Sequence, residues 1–275
     1  MYLDHYNLKE MPFDISPGSR FFWLGPKYTK ALATLKYGIS ANKGFLLLTG
    51  DVGIGKTALI HRLVNSLDVT TIFANIPDPG LDILDFFKIL AVEFNMTQKF
   101  NSKGEFLIEL QKFIYKNYAD DKKVLLIIDE AQRLNNDLLE QIRLLSNIEM
   151  GDRKLINIFF VGQPEFNQML MTRKNRAVRQ RMALNIHLGL LTENETGQYI
   201  QHRLKVAGCS WKIFRKDAIR EIFKFSKGCP RLINIICDRA LLMGYASGAK
   251  LIDSNAVKKC KQELEIPVDI DDRAN

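Results

Sequence analysis

Five short apolar runs mark the first two thirds of the chain, and their internal patterning differs. Phe45–Thr49, Lys123–Ile128 and Leu155–Val161 are apolar nearly throughout, as expected of strands buried on both faces of a parallel sheet. Thr70–Ile76 and a weaker run at Met182–Leu188 add two more strands, and helical stretches separate all five. That alternation predicts an α/β fold. A helix is predicted over Lys27–Ala41, after an irregular start that carries Pro12, Pro17 and Pro26. From about Thr192 the period is helical only, over Glu193–Ala207, Arg215–Ser226, Arg231–Tyr245 and Ser254–Leu264. The expected organisation is an α/β domain over 1–191, a small all-helical domain over 192–265 and a disordered acidic tail over 266–275.

Composition narrows the class of protein. With 275 residues, 47% hydrophobic and 25% charged, the chain can bury a core, which excludes a disordered or fibrous protein. No apolar run approaches the ~18 residues needed to span a bilayer. The opening MYLDHYNLKE has no basic segment followed by an apolar one, so no export signal is expected. Cys209, Cys229, Cys237 and Cys260 form no CxxC pair and have no histidines at ligand spacing; reduced thiols in a cytoplasmic protein are expected. The net charge of +8 is unevenly placed. Residues 1–165 hold 19 Lys/Arg against 20 Asp/Glu, whereas 166–275 hold 20 against 11. The densest stretch, with Arg173, Lys174, Arg176, Arg179 and Arg181, contains no acid. Such a run is either a solvated face or a surface for an anionic partner such as phosphate, nucleic acid, duplex DNA included, or an acidic lipid surface.

Gly50–Thr57 reads GDVGIGKT, which satisfies GxxxxGK[ST] and lies between the apolar strand FLLLT and the helical ALIHRLVNSL. Glycines at 50, 53 and 55 let successive backbone N–H groups converge on phosphate oxygens, and the helix that begins beyond them adds the positive end of its dipole. Residues Gly50, Asp51, Val52, Gly53, Ile54, Gly55, Lys56, Thr57 and Ala58 are therefore the expected ATP cradle. Lys56 is expected to reach the β- and γ-phosphates, and the Thr57 hydroxyl to ligate Mg²⁺. The run KKVLLIIDE ends a buried strand in two adjacent carboxylates that point differently. Asp129 is the expected second anchor for Mg²⁺, and Glu130 the base or polariser for attacking water. The paired acids favour water over a small-molecule acceptor.

Strand, GxxxxGKT, an intervening strand and then hhhhDE resemble the AAA+ superfamily of P-loop NTPases. The stretches YNLKEMPFDISP, RFFWL, IDEAQ, IRLLSNIE, VGQPEF, QRM and GCPRLINIICDRAL further resemble the general secretion pathway protein A ATPases, the ExeA type, from Tyr2 to about Tyr245. More distantly the arrangement is similar to TnsC- and TniB-type transposition regulators and to origin-recognition ATPases. The resemblance implies a five-stranded parallel sheet flanked by helices, with the helical domain acting as a lid. It makes Gln163 the sensor-1 residue, directly after a strand lying between the two motif strands, and Arg231 the sensor-2 arginine that reports the γ-phosphate. Arg181 takes the place of an arginine finger inserted into a neighbouring subunit, with Arg179 and then Arg176 as further candidates. Residues 1–26 become a nucleotide-flanking segment, in which Pro12 and Phe13 are either an adenine-facing wall or core. Proteins of this type often continue into a membrane span and a cell-wall-binding domain; relatives consisting of the ATPase alone stand beside polysaccharide-export and sorting systems.

Two functions follow as expectations. The first is a cytoplasmic ATPase, peripheral at the inner membrane only through a partner, whose nucleotide-driven homo-oligomerisation energises or regulates a secretion, pilus or exopolysaccharide apparatus. The second is a DNA-binding ATPase that recruits a transposase or similar enzyme, its binding set by phosphate neutralisation.

Overall fold

Strands β1 (Phe45–Gly50), β2 (Thr71–Ile76), β3 (Lys123–Ile128), β4 (Ile156–Gly162) and β5 (Met182–Leu188) form one parallel sheet in the order β2-β3-β4-β1-β5. The computed structural model describes residues 2–14, 19–97, 100–151 and 153–264. The expected tail over 266–275 lies outside them.

Burial follows position in the sheet. β1 and β4 are buried along their whole length and β3 from its second residue, because both of their faces are covered. β5 alternates between partly buried and exposed positions until Leu188, and β2 is largely half-exposed, because these are the two edges. On one face, Phe45, Leu47, Leu126, Ile128, Ile158 and Phe160 pack with side chains from the helices Ile83–Glu93, Lys103–Ala119, Asn136–Leu145 and Pro164–Met171. Phe87 and Phe106 stack there at 4.4 Å. The intervening residues Leu46, Leu48, Leu125, Ile127, Phe159 and Val161 are equally buried on the other face. The helix Pro26–Ser40 comes close on that side through Gly38, where a Cβ would stand 2.6 Å from Leu46. One polar side chain crosses this core. Asn157 of β4 accepts from the Gly44 N–H and donates to Asn42 Oδ1 at 3.0 Å, fixing the turn that enters β1.

Residues Pro26–Gly189 form one compact unit, and Met1–Gly25 together with Leu190–Asn275 form another. The sequence reading assigns 1–26 to the α/β domain; the contacts group Met1–Gly25 with the helices Glu193–Val206, Lys216–Ser226, Pro230–Ala246 and Ser254–Leu264. The physical reason is a set of long-range contacts. Tyr2 donates to Asp238, and Tyr6 donates to the Ala249 carbonyl at 3.0 Å. Burial and the Asp238 carboxylate push the Tyr2 phenol well above its usual range, and burial pushes Tyr6 up to about 12. Arg203, 3% exposed, donates to the carbonyls of Pro12 and Asp14 and to the Tyr199 hydroxyl, and its guanidinium lies over the Phe13 and Phe21 rings. Within this unit a reciprocal capping box, Thr192 with Glu195, starts the first helix. Gly228, at φ +84°, brings its backbone so near Leu191 that any Cβ would meet the Leu191 carbonyl oxygen at 1.9 Å. Only glycine fits there.

Candidate active site

In an open α/β sheet, ligands bind beyond the carboxyl ends of the strands, and the predicted residues of the α/β unit gather there. β1 ends at Gly50, whose absent side chain lets it lie against Leu188 of β5; a Cβ would stand 2.9 Å from the Leu188 carbonyl oxygen. Gly53 and Gly55 take φ of +76° and +96°, turning the loop before the helix Lys56–Val64 begins. Ile54 is fully buried, and its carbonyl accepts a 2.6 Å hydrogen bond from Tyr28, so the loop is anchored from below by a residue of the Pro26–Ser40 helix.

Lys56 donates to the carbonyls of Gly50, at 2.8 Å, and Asp51, at 3.1 Å, and is nearly buried. That burial lowers the affinity of its amine for a proton, opposed by the carboxylates of Glu130, Asp129, Asp51 and Glu165. Thr57 donates to Asp129 Oδ2 at 3.1 Å, while Asp129 Oδ1 accepts the Glu130 N–H at 2.9 Å. Burial raises the Asp129 carboxyl above the usual carboxylate range; the two hydrogen bonds pull it the other way.

Glu130 has φ +50° and ψ +40°, a left-handed conformation that costs a non-glycine residue energy and persists only where its surroundings impose it. Its side chain is half-buried and held at Oε2 by Gln132 and by Gln163, the latter at 3.2 Å. Gln163 follows β4, which lies between β1 and β3 in the sheet as the resemblance implies. Thus the loop, Asp129, Glu130 and Gln163 come together from three adjacent strand ends.

The donor set fits magnesium triphosphate. The positive-φ glycines make a backbone cradle, and Thr57 with Asp129 presents two hard oxygens, as suits an ion that takes its other ligands from phosphate and water. Among the described residues, no group of three or more His, Cys, Asp or Glu side chains is placed to hold an ion alone.

Comparison with known proteins agrees with the fold. A family model described as the AAA domain matches residues 39–170. General secretion pathway protein A of Aeromonas hydrophila is 38% identical over 253 residues, covering 92% of this chain and 46% of that protein. The chain carries an AAA domain. Its likeness is to general secretion pathway protein A, as the sequence motifs imply, and it spans less than half the length of that relative. Solved AAA+ structures share the fold. The ORC2 protein of Aeropyrum pernix, solved as ADPNP–ADP complexes, matches with a TM-score of 0.67 at 17% identity, covering 94% of this chain and 72% of that one. The Drosophila ORC solved bound to DNA matches at 0.64 and 16% identity, covering 96% and 65%.

The remaining predicted residues of the α/β unit do not join the cluster. Arg181 donates to the Arg143 carbonyl, Ser146 Oγ and Asn147 Oδ1, so its guanidinium caps the end of the Asn136–Leu145 helix. Arg179 donates to the carbonyls of Leu170 and Met171. Arg176 is exposed and makes no side-chain hydrogen bond or ion pair among the described residues. Arg231, exposed in the first turn of the Pro230–Ala246 helix, belongs to the helical unit, as do Pro12 and Phe13. Of the two roles open to Phe13, the core one describes its surroundings. It is 2% exposed and meets Phe214 edge-on at 6.1 Å. Sequence reasoning passed over Tyr28 and Gln132. Nothing local marks Tyr28, whereas Gln132 stands two residues after Glu130 in the IDEAQ stretch.

Proposed function

We propose that this chain binds ATP with magnesium and hydrolyses it. Backbone N–H groups from Gly50 to Thr57 receive the phosphates, aided by the helix dipole, and Lys56 leaves its two loop carbonyls to pair with the β- and γ-phosphates. Thr57 and Asp129 would hold the magnesium ion, which supplies neutralisation of the phosphate charge. Glu130 orients the attacking water and accepts its proton, and the Gln163 amide lies against the same carboxylate. The observation that carries this reading is the pairing of Thr57 with Asp129 directly beside Glu130. The purified chain should release phosphate from ATP only with magnesium, and Glu130→Gln should retain ATP without turnover. Parental turnover in Glu130→Gln would remove Glu130 from this role.

We further propose that nucleotide drives assembly of a homo-oligomer, ring or filament, that energises or regulates a secretion, pilus or exopolysaccharide apparatus through a partner protein. The 38% identity to general secretion pathway protein A supports this setting. Disruption of the gene should block export of the cognate cargo; unimpaired export would overturn the assignment.

A second reading has its own observation. Arg173, Lys174 and Arg176 are exposed, and their side chains make no hydrogen bond or ion pair among the described residues. Such a trio suits duplex phosphates, in a protein that uses ATP to recruit a transposase. A gel-shift salt series with ATP separates the two: binding that weakens steeply with salt supports the DNA role, and no binding at low salt retires it.

A further inference from the structure

The Glu130 carboxylate is asymmetrically engaged. Its Oε2 accepts side-chain N–H groups from both Gln132 and Gln163, whereas Oε1 has no hydrogen-bond partner among the described residues. Gln132 does not hang freely. Its own carbonyl oxygen accepts the backbone N–H of Gln163 at 3.0 Å and lies 3.1 Å from where a Cβ on Gly162 would stand, so a side chain at residue 162 would crowd it. The short turn that carries it, Ala131–Arg133, is closed by the Arg133 N–H on the Glu130 carbonyl at 2.8 Å and has Ala131 fully buried. One side chain therefore spans from the end of β3 to the end of β4, with a donor on the carboxylate and an acceptor on main chain.

We infer that Gln132 is a positioning residue for ATP hydrolysis: it tethers Oε2 of Glu130 and so presents Oε1 to the attacking water. The inference rests on the ATPase reading above. In that step the water oxygen bonds to the γ-phosphorus, and the bond from that phosphorus to the β–γ bridging oxygen breaks. ADP departs with the bridging oxygen, and the water proton passes to Oε1 and then to solvent. An untethered glutamate side chain samples several rotamers, and rate is lost whenever the accepting oxygen is misaimed. Gln132 acts through Glu130 and not on the substrate, so its removal should alter turnover and leave nucleotide affinity alone.

The test uses the full chain and two near-isosteric variants. Gln132→Met keeps length and removes both hydrogen bonds; Gln132→Glu removes the donor and sets a like charge beside Glu130. Each should lower kcat about tenfold or more, with KM for ATP, binding of a fluorescent ATP analogue and thermal midpoint close to the parent's. Combining Gln132→Met with Gln163→Met should cost less than the two losses multiplied, because both amides hold the same oxygen. Parental kcat in either isosteric variant, or a loss confined to KM, would overturn the role of Gln132 while leaving the ATPase reading intact. A parent that releases no phosphate with magnesium and ATP would remove the ATPase reading itself, and this role with it.

Discussion

Thr57 and Asp129, 72 positions apart in sequence, are joined by a 3.1 Å hydrogen bond from the threonine hydroxyl to Oδ2. That bond connects the first turn of the helix beyond the phosphate loop to the end of β3, and it brings together the two oxygens proposed for magnesium. Thr57→Ala and Asp129→Asn should each lower magnesium-dependent turnover on the order of 10²-fold, read as phosphate release across a magnesium titration.

The same aspartate carries a stability cost. Burial raises its carboxyl above the usual value of 3.8. A raised carboxyl binds a proton more tightly when folded than when unfolded, so the penalty is absent below that usual value and grows as pH rises through the raised one. Ligand-free Asp129→Asn should therefore melt with the parent in strong acid and above it near neutrality. A gap that narrowed with rising pH would contradict this.

Lys56 occupies the carbonyls of Gly50 and Asp51. In the proposed ATP complex those bonds are exchanged for charge-assisted bonds to phosphate, each worth about 1.5–3 kcal/mol. Lys56→Met should weaken ATP binding at least tenfold, by fluorescent-nucleotide titration, and leave the melting midpoint nearly unchanged.

The basic stretch divides by what each arginine touches. Arg181 donates to three acceptors where its charge also complements the helix C-terminus, so Arg181→Ala should destabilise by about 1–3 kcal/mol in denaturant melts. Arg176 has no such engagement, which makes it the better candidate to act in a neighbouring subunit. Arg176→Ala should abolish the concentration-dependent part of hydrolysis and leave stability alone. The reverse pairing of effects would restore Arg181 as the finger.

Arg203 ties the first residues to the helical unit through the carbonyls of Pro12 and Asp14. Arg203→Met should leave those oxygens and the Tyr199 hydroxyl without their donor, costing about 3 kcal/mol. Limited proteolysis followed by mass spectrometry should then show cleavage within the first 25 residues before any in Pro26–Gly189.

The sheet was legible because burial writes itself into the pattern of a strand. Three continuous apolar runs became the three central strands, and the mixed runs at Thr70–Ile76 and Met182–Leu188 became its edges. The loop and the acids were legible because their chemistry demands fixed spacing after a strand. The surroundings of Tyr2, Tyr6 and Phe13 were not. Their partners lie far along the chain, at Asp238, Ala249, Arg203 and Phe214, and no local period announces such a contact. Gln132 was hidden differently, since a glutamine two residues after an acid has no special meaning until β4 is seen to run alongside β3.

The grouping of the first 25 residues with Leu190–Asn275 sets an order of events during synthesis. Pro26–Gly189 is continuous, so it can complete its core while the ribosome is still translating downstream sequence. The other unit needs segments from either side of it: Tyr2 waits for Asp238, and Phe13 for Phe214. The aromatic side chains that precede Pro26 therefore emerge well before their partners and stay uncovered meanwhile, which makes them the natural surface for a chaperone to shield.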